Sequence, residues 1–203
     1  YSSEYMDTVI FRDGFKYTLH FEKGENISGL VKEETVKKST GTDIKWKPDK
    51  EVFTDINIPS EYFKDILKKQ AIVNAGLIFE YYDEEADEHE TFVYENGIKD
   101  YINELNSGKG LTDSYYMETE TKGRDREDKP EYKLKFEAAF CFNNEINSLQ
   151  YFHNSSFLEH GGSPDKAVKN AFVYSIDKYI KANSLYKKNE KKITFSDIED
   201  SLI

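Results

Sequence analysis

The stretch Tyr151–Ile180 restricts the fold more than any other part of the sequence, because it joins a strand pattern, a double-glycine turn and a helix start. The pair Gly161-Gly162 permits backbone angles that a side chain disfavours. Ser163 is the predicted N-cap, Pro164 the predicted first helical residue, and Asp165 places negative charge at the positive end of the helix dipole. Apolar residues then recur at the spacing of one helix face, which predicts a helix to about residue 182 that packs on a sheet or another helix. The predicted stripe consists of Val168, Ala171, Phe172, Ser175, Ile176, Tyr179 and Ile180.

Alternating and helical patterns divide the rest of the chain into further strands and helices. Two alternating segments flank Asp13-Gly14, which is typical of a β-hairpin over residues 7–21. Pro59 and Ser60 open a helical pattern that ends near Val73. Further strands are predicted at residues 43–47, 77–82, 91–95, 114–119, 131–142 and 148–153, and further helical segments at 98–105 and 197–203, the latter capped by Ser196.

The short segment Asn106-Ser-Gly-Lys-Gly110 is the best candidate for a domain boundary, since it is polar and rich in glycine. We therefore predict a two-part α+β chain, with one part at residues 1–106 and the other at residues 107–203. With 203 residues, of which 37% are apolar, the chain can bury a real core. The first residue is Tyr1 and not methionine, so we expect a piece of a longer protein.

Composition excludes several classes of function. The net charge of −11 argues against wrapping of nucleic acid around the whole surface and leaves only local basic faces for phosphate. Cys141 is the only cysteine, which excludes an internal disulfide and a cysteine-rich zinc site and favours a reducing, cytoplasmic location. No apolar run approaches the roughly 18 residues of a membrane span, so no membrane partner is expected.

Local motifs leave few candidates for chemistry, and no catalytic residue is predicted. The four histidines lack the spacing of a helical metal site and the acidic stretch 83–90 lacks the calcium-loop pattern, so no metal ligand is predicted. Cys141 sits in an aromatic strand, as expected of a packed side chain and not of a nucleophile. Gly161-Gly162 could bind an anion or form a plain turn, and the lysines of residues 178–192 could contact phosphate or form a solvated face.

Three groups of motifs, in a fixed order along the chain, carry a resemblance to a known family. The first is Thr40-Gly-Thr-Asp-Ile-Lys-Trp-Lys-Pro-Asp49, and the second is Tyr94-Glu-Asn-Gly-Ile-Lys-Asp-Tyr-Ile-Asn-Glu-Leu-Asn106. The third comprises Tyr151-Phe-His-Asn-Ser, Glu159-His-Gly-Gly-Ser and Phe195-Ser-Asp-Ile-Glu-Asp-Ser-Leu-Ile203. Together they resemble the ATPase subunits of bacterial type IIA DNA topoisomerases, gyrase B and topoisomerase IV B, over nearly the whole chain.

The resemblance implies a fold and a nucleotide-binding role. Residues 1–106 correspond to the C-terminal half of a GHKL-type ATPase α/β sandwich, and residues 107–203 to a truncated transducer domain of the ribosomal small-subunit protein 5 domain 2-like fold. Thr42 matches a threonine that helps to hold adenine and a bound water, for which its hydroxyl can donate and accept. The remaining ATP and Mg²⁺ motifs are expected before Tyr1 and after Ile203, so this piece alone is not expected to hydrolyse ATP or to hold either cofactor.

Two departures from the family pattern bear on contact with DNA. Gly162-Ser163-Pro164 replaces the usual Gly-Thr-His, and Tyr174 stands where many members have an arginine that faces a DNA-sized cavity. A tyrosine cannot make the charge-assisted phosphate bonds of an arginine. Lys169 and Lys178 could compensate in part, so the resemblance implies DNA-facing positions at these two lysines and at Tyr174.

The implied function is that of part of an ATP-hydrolysing type II DNA topoisomerase. The implied partners are DNA, an A-type topoisomerase subunit and a second copy of the same subunit. The two departures motivate an alternative, a divergent, non-catalytic interaction module. A third reading is another member of the same ATPase superfamily, such as a mismatch-repair protein or a chaperone, and the sequence does not separate gyrase from topoisomerase IV.

Overall fold

A computed structural model describes residues 2–203 of the chain. The chain divides into two compact units, Tyr1–Pro59 (unit 1) and Ser60–Ile203 (unit 2). Among the described residues, no helix is both long enough and apolar enough to cross a lipid bilayer.

Unit 1 is an antiparallel β-sheet built around the predicted hairpin. Its strands are β1 (Ser3–Arg12), β2 (Phe15–Glu22), β3 (Glu25–Asn26), β4 (Val31–Glu34) and β5 (Gly41–Pro48). Neighbouring strands follow the order β3-β2-β1-β5, and β4 also pairs with β2. Asp13 and Gly14 form the β1–β2 turn with φ of 54° and 78°, the left-handed angles that a two-residue hairpin needs. The predicted hairpin over residues 7–21 and the predicted strand at 43–47 are confirmed.

The register gives the sheet of unit 1 one strongly apolar face and one mixed face. Alternate residues of a strand point to opposite sides, so the apolar side includes Trp46, which pairs with Met6, and Ile44 two positions away. Ile44 and Trp46 remain 57% and 49% exposed. On the other face, His20 Nδ1 lies 2.6 Å from Asp7 Oδ1, and this hydrogen bond raises the pKa of His20.

Unit 2 combines helices with short antiparallel strand pairs. The helices are α1 (Ser60–Val73), α2 (Ile98–Asn106) and α3 (Gly162–Ala182). The strand pairs are β6 (Phe79–Asp83) with β7 (Glu88–Phe92), β8 (Tyr115–Gly123) with β9 (Tyr132–Phe140), and β10 (Phe152–His153) with β11 (Ser156–Phe157). Two 3₁₀ turns, Phe195–Asp197 and Glu199–Ser201, follow α3. The predicted α+β class and the predicted helices α1 and α2 are confirmed.

Two clusters of buried side chains hold unit 2 together. The first consists of Ala71, Ile72, Phe92 and Tyr94. The second consists of Ile102 on α2, Cys141 after β9, and Ile203. The second cluster therefore joins residues on both sides of the predicted boundary between residues 106 and 107, and the division of the chain into two domains at that point stays a prediction. Burial raises the pKa of the Cys141 thiol, as expected of a packed side chain.

The start of α3 differs from the prediction. Gly161, with φ 66° and ψ −40°, is the N-cap in place of Ser163, and it has no side-chain cap hydrogen bond. A Cβ on Gly161 would lie 2.6 Å from the Cβ of Asp165, so both the backbone angle and the packing of the turn require glycine. The helix begins at Gly162, and Pro164 occupies its third position, where the missing N–H still costs no helical hydrogen bond.

The inward face of α3 is rotated relative to the predicted stripe. Four of the predicted residues are half-buried, namely Val168, Phe172, Ile176 and Ile180. Three others are exposed, namely Ala171, Ser175 and Tyr179. Asp177, which periodicity assigns to the outside, is only 6% exposed. The helix turns this carboxylate inward because partners for it lie on the segment that follows.

Three predicted strands differ in extent from the structure. Of the predicted strand 148–153, only the last two residues form β10. β7 begins at Glu88, inside the predicted acidic loop, because Asp83 Oδ1 accepts the N–H groups of Glu85 and Ala86 and tightens the turn. β8 continues to Gly123.

The last segment is capped two residues earlier than predicted. Thr194, in place of Ser196, forms a capping box with Asp197. Beyond it, the backbone N–H and C=O groups of Ile203 each bond to Cys141, at 3.0 and 3.1 Å. The end of the described chain thereby lies alongside the residues that follow β9.

Candidate functional site

Thr42 lies on β5, the edge strand of the unit 1 sheet, where it pairs with Ile10 of β1. Its side chain is exposed, and its hydroxyl has no hydrogen-bond partner within residues 2–203. The side chains of Ile10 and Ile44 lie on the same face of the sheet. The free hydroxyl of Thr42 can donate and accept a hydrogen bond beside these apolar side chains, but it supplies no positive charge for phosphate.

The described residues do not provide a metal site. Among them, no group of three or more histidine, cysteine or acidic side chains is placed to hold a metal ion. His20 is engaged by Asp7 and Glu22, with its Nε2 3.2 Å from Glu22 Oε1.

The three predicted DNA-facing residues do not share one face of α3. Tyr174 is 66% exposed, and Lys178 lies one turn further along the same side of the helix. Neither side chain has a hydrogen-bond or ion-pair partner within the described part of the chain. Lys169 lies on the opposite side, where its ammonium group is 3.0 Å from Asp165 Oδ1 and 5.3 Å from the centroid of the Phe195 ring. The structure thus brings Tyr174 and Lys178 together and separates Lys169 from them.

A buried carboxylate links α3 to the segment after it. Asp177 Oδ2 accepts a hydrogen bond from Lys181 Nζ at 2.7 Å, and Asp177 Oδ1 accepts one from the Tyr186 hydroxyl at 2.9 Å. Lys192 Nζ lies 3.6 Å from the same carboxylate. The Tyr186 oxygen also accepts the backbone N–H of Ile193 at 3.1 Å. The hydrogen bond from Lys181, helped by that from Tyr186, holds the pKa of Asp177 below its usual value. We call the pair Asp177 and Tyr186 the anchor.

The anchor fixes a lysine-rich stretch, residues 187–192, which we call the lysine segment. The segment is closed on itself, since Lys187 N–H bonds to Glu190 Oε2 at 2.7 Å and Glu190 N–H bonds to the Lys187 carbonyl at 3.1 Å. Lys187, Lys188 and Lys191 are exposed and have no carboxylate partner within residues 2–203.

The Gly161-Gly162 turn is built as a structural element. Asp165 sits in the first turn of α3, where its carboxylate opposes the binding of an anion. Tyr151 and Asp165 both pack close to Gly161. This packing favours the plain turn over an anion site.

The anchor is the part of this region that the sequence patterns do not reveal. Those patterns identify the lysines of residues 178–192, but they assign no structural role to Asp177. The spacing of Asp177 and Lys181 at i and i+4 is a usable signal, because such pairs meet on a helix. Tyr186 gives no local signal, since its partner Asp177 is nine residues earlier in the chain and no regular helix spacing joins the two.

Comparison with known proteins gives one consistent result. A family model described as DNA gyrase B matches residues 97–203. The B subunit of DNA topoisomerase 4 from Bacillus subtilis (strain 168) is 30% identical over 98% of this chain and 29% of its own length. The B subunit of DNA gyrase from Spiroplasma citri is 30% identical over 98% of this chain and 31% of its own length. The chain thus spans under a third of the length of these two relatives.

Solved structures show the same relation at the level of the fold. The ATP binding domain of topoisomerase IV from Francisella tularensis, in complex with a small-molecule inhibitor, superposes with a TM-score of 0.68 at 27% identity over 98% of this chain and 52% of that chain. The 43K ATPase domain of Thermus thermophilus gyrase B, in complex with an aminocoumarin, gives 0.70 at 23% identity over 99% and 53%. The fold implied by the motif resemblance is confirmed.

Proposed function

The chain belongs to the DNA gyrase B family, and we propose that it forms part of the ATPase subunit of a type II DNA topoisomerase. In the full-length protein, ATP binding and hydrolysis are coupled to the passage of one DNA segment through another. The observation that supports this most is the continuity of the similarity, which covers 98% of the chain in both curated relatives. Within this proposal, residues 1–106 end the ATPase domain and residues 107–203 form most of the transducer.

The nucleotide-binding part of the proposal rests on Thr42. ATP with Mg²⁺ supplies the binding energy and the phosphate chemistry in the full-length protein. Thr42 offers one hydroxyl to the adenine end, beside the apolar surface of Ile10 and Ile44. In this proposal, the phosphate and metal ligands come from residues outside this chain.

Replacement of Thr42 by alanine in the full-length protein tests this role. Loss of one hydrogen bond worth about 1–1.4 kcal/mol should weaken ATP binding by about five- to tenfold. Thr42→Ser keeps the hydroxyl and should stay near the parent affinity. Binding of a fluorescent ATP analogue measures both variants, and an unchanged Kd for Thr42→Ala removes the assignment.

Contact with DNA is proposed for the side of α3 that carries Tyr174 and Lys178. Tyr174→Arg adds a phosphate-binding group there and should steepen the salt dependence of DNA binding by about 0.9 in the log–log slope. Tyr179→Arg is the matched control, because it adds the same charge about 140° away around the helix. Equal slopes for the two variants would show that only net charge matters and that the Tyr174 side does not face DNA.

The remaining partners and the location are proposals from the family. They are an A-type topoisomerase subunit, a second copy of the ATPase subunit and a cytoplasmic setting. The tyrosine at 174 favours one rival, a non-catalytic interaction module. DNA-stimulated ATP hydrolysis by the full-length protein would exclude that rival, and its absence with intact ATP binding would support it.

A further inference from the structure

The C-terminal end of α3 is a local exception to the acidity of the chain. Residues 177–192 contain six lysines and two acidic residues, whereas the whole chain has a net charge of −11. Both acidic side chains are already engaged: Asp177 in the anchor, and Glu190 at the Lys187 backbone N–H. The carboxylates therefore hold the shape of the segment, while Lys187, Lys188 and Lys191 remain exposed and free of ion pairs within residues 2–203.

The anchor restrains the lysine segment at both of its ends. Tyr186 lies directly before the segment, and its hydroxyl donates to the carboxylate of Asp177, a residue that is only 6% exposed. The same hydroxyl accepts the N–H of Ile193, directly after the segment. One oxygen atom thus ties the two ends of the loop together and fixes them to α3. A loop held in this way loses less conformational freedom when it binds a partner than a free loop of the same composition.

We propose that the Asp177–Tyr186 anchor presents the lysine segment as a preformed binding surface for the phosphate backbone of duplex DNA. This rests on the proposed function, because only a DNA-processing subunit offers that partner. Asp177 and Tyr186 are positioning residues that do not touch DNA. The exposed lysines make the contacts. Their compact ammonium groups suit binding to phosphate groups, which does not depend on the DNA sequence.

The test uses Tyr186→Phe in the full-length protein, with Tyr179→Phe as the matched control. Tyr179 is exposed, and its hydroxyl has no partner within the described residues, so its loss should change nothing. Tyr186→Phe leaves the charge unaltered and removes only the hydrogen bonds of the hydroxyl to Asp177 and Ile193. Two readouts are needed: hydrogen exchange of the amides of residues 187–193, and binding of a short fluorescent DNA duplex as a function of salt.

We expect Tyr186→Phe to accelerate exchange in residues 187–193 and to weaken binding by about five- to tenfold near 0.1 M salt, equivalent to one lost phosphate contact, with a slope smaller by about 0.9. Unchanged exchange would overturn the anchor while leaving the topoisomerase assignment intact. Faster exchange with unchanged DNA binding would show that the anchor exists but that the segment does not contact DNA. Binding of the segment to anionic phospholipid vesicles in place of the duplex would also overturn the proposal.

A second variant separates the anchor from a simple effect of net charge, because the two predict opposite changes in DNA affinity. Asp177→Asn removes one negative charge, so simple charge addition predicts tighter DNA binding. The anchor predicts weaker binding, since Lys181 and Lys192 lose their carboxylate and the segment loosens. Tighter binding by Asp177→Asn would refute the positioning role.

Discussion

Ile102 is the residue whose truncation best tests how unit 2 is held together. It lies on α2, is 4% exposed, and packs with Cys141 and Ile203. Ile102→Ala removes three carbon atoms, and at about 0.8 kcal/mol for each buried carbon the lost transfer free energy is about 2.4 kcal/mol. The cavity left behind adds to this, so we expect a loss of about 3–4 kcal/mol in the free energy of unfolding.

Native-state hydrogen exchange locates the loss. The amides of Cys141 and Ile203 each bond to the other residue's carbonyl across the site, and their exchange should become faster by the factor that 3–4 kcal/mol implies, about two to three powers of ten. Ile102→Val is the graded control and should cost only about 0.5–1.5 kcal/mol. Unchanged exchange at Cys141 and Ile203 in Ile102→Ala would refute the packing on which this calculation rests.

The same experiment bears on the predicted boundary between residues 106 and 107. If Ser60–Ile203 unfolds as one cooperative unit, the amide of Ala71 on α1 should lose as much protection as that of Cys141. If unfolding in Ile102→Ala is confined to the cluster of Ile102, Cys141 and Ile203, Ala71 should keep its protection, because it packs in the other cluster. The ratio of the two effects therefore decides where cooperativity ends.

Two further predictions concern backbone strain and titration. Gly97→Ala should cost about 2–3 kcal/mol, because Gly97 has φ 60° and ψ −131° and a Cβ there would lie 3.1 Å from the Ile72 carbonyl oxygen; thermal unfolding measures this. Gly108→Ala also has a positive φ but open surroundings, so it should cost only about 1–2 kcal/mol, and equal losses would contradict the steric reasoning. The pKa of His20 is raised above 6.5, mainly by its hydrogen bond to Asp7, so its contribution to stability is complete below pH 6.5 and is lost as the pH rises through the higher folded value. NMR titration should show this raised pKa and its return toward 6.5 in Asp7→Asn, and a His20 pKa that is the same in both proteins would disprove the pairing.

The parts of the fold that sequence could predict are those fixed by neighbours along the chain. The β1–β2 hairpin follows from Asp13-Gly14 between two alternating segments, and α1 follows from a local periodic pattern. The predicted strand at 148–153 is wrong over most of its length. Its residues meet distant backbone instead, as in the bond from Ser148 N–H to the Leu202 carbonyl at 3.3 Å, and no local pattern encodes that pairing.

In the candidate site, too, sequence could predict what helix spacing fixes, but it could not predict contacts with residues outside the helix. The exposure of Tyr174 and Lys178 is a property of helix geometry, so their common side could be inferred from spacing alone. Lys169 is grouped with them only because of its position in the family motif. It pairs with Asp165 on the other side of α3, so a matching motif position does not show which side of the helix a residue occupies. The inward turn of Asp177 depends on Tyr186 beyond the helix, and periodicity within the helix carries no information about that partner.

Because Cys141 bonds to Ile203, the cluster around Ile102 can be completed only late in the synthesis of the chain. Cys141 leaves the ribosome with α2 and β9 already made, but two backbone groups and one apolar neighbour are still missing. They arrive only after α3, the lysine segment and both 3₁₀ turns have been translated. Until then Ile102 and Cys141 face water on one side, and this nascent stage is where a chaperone or an aggregating neighbour has its best opportunity to bind.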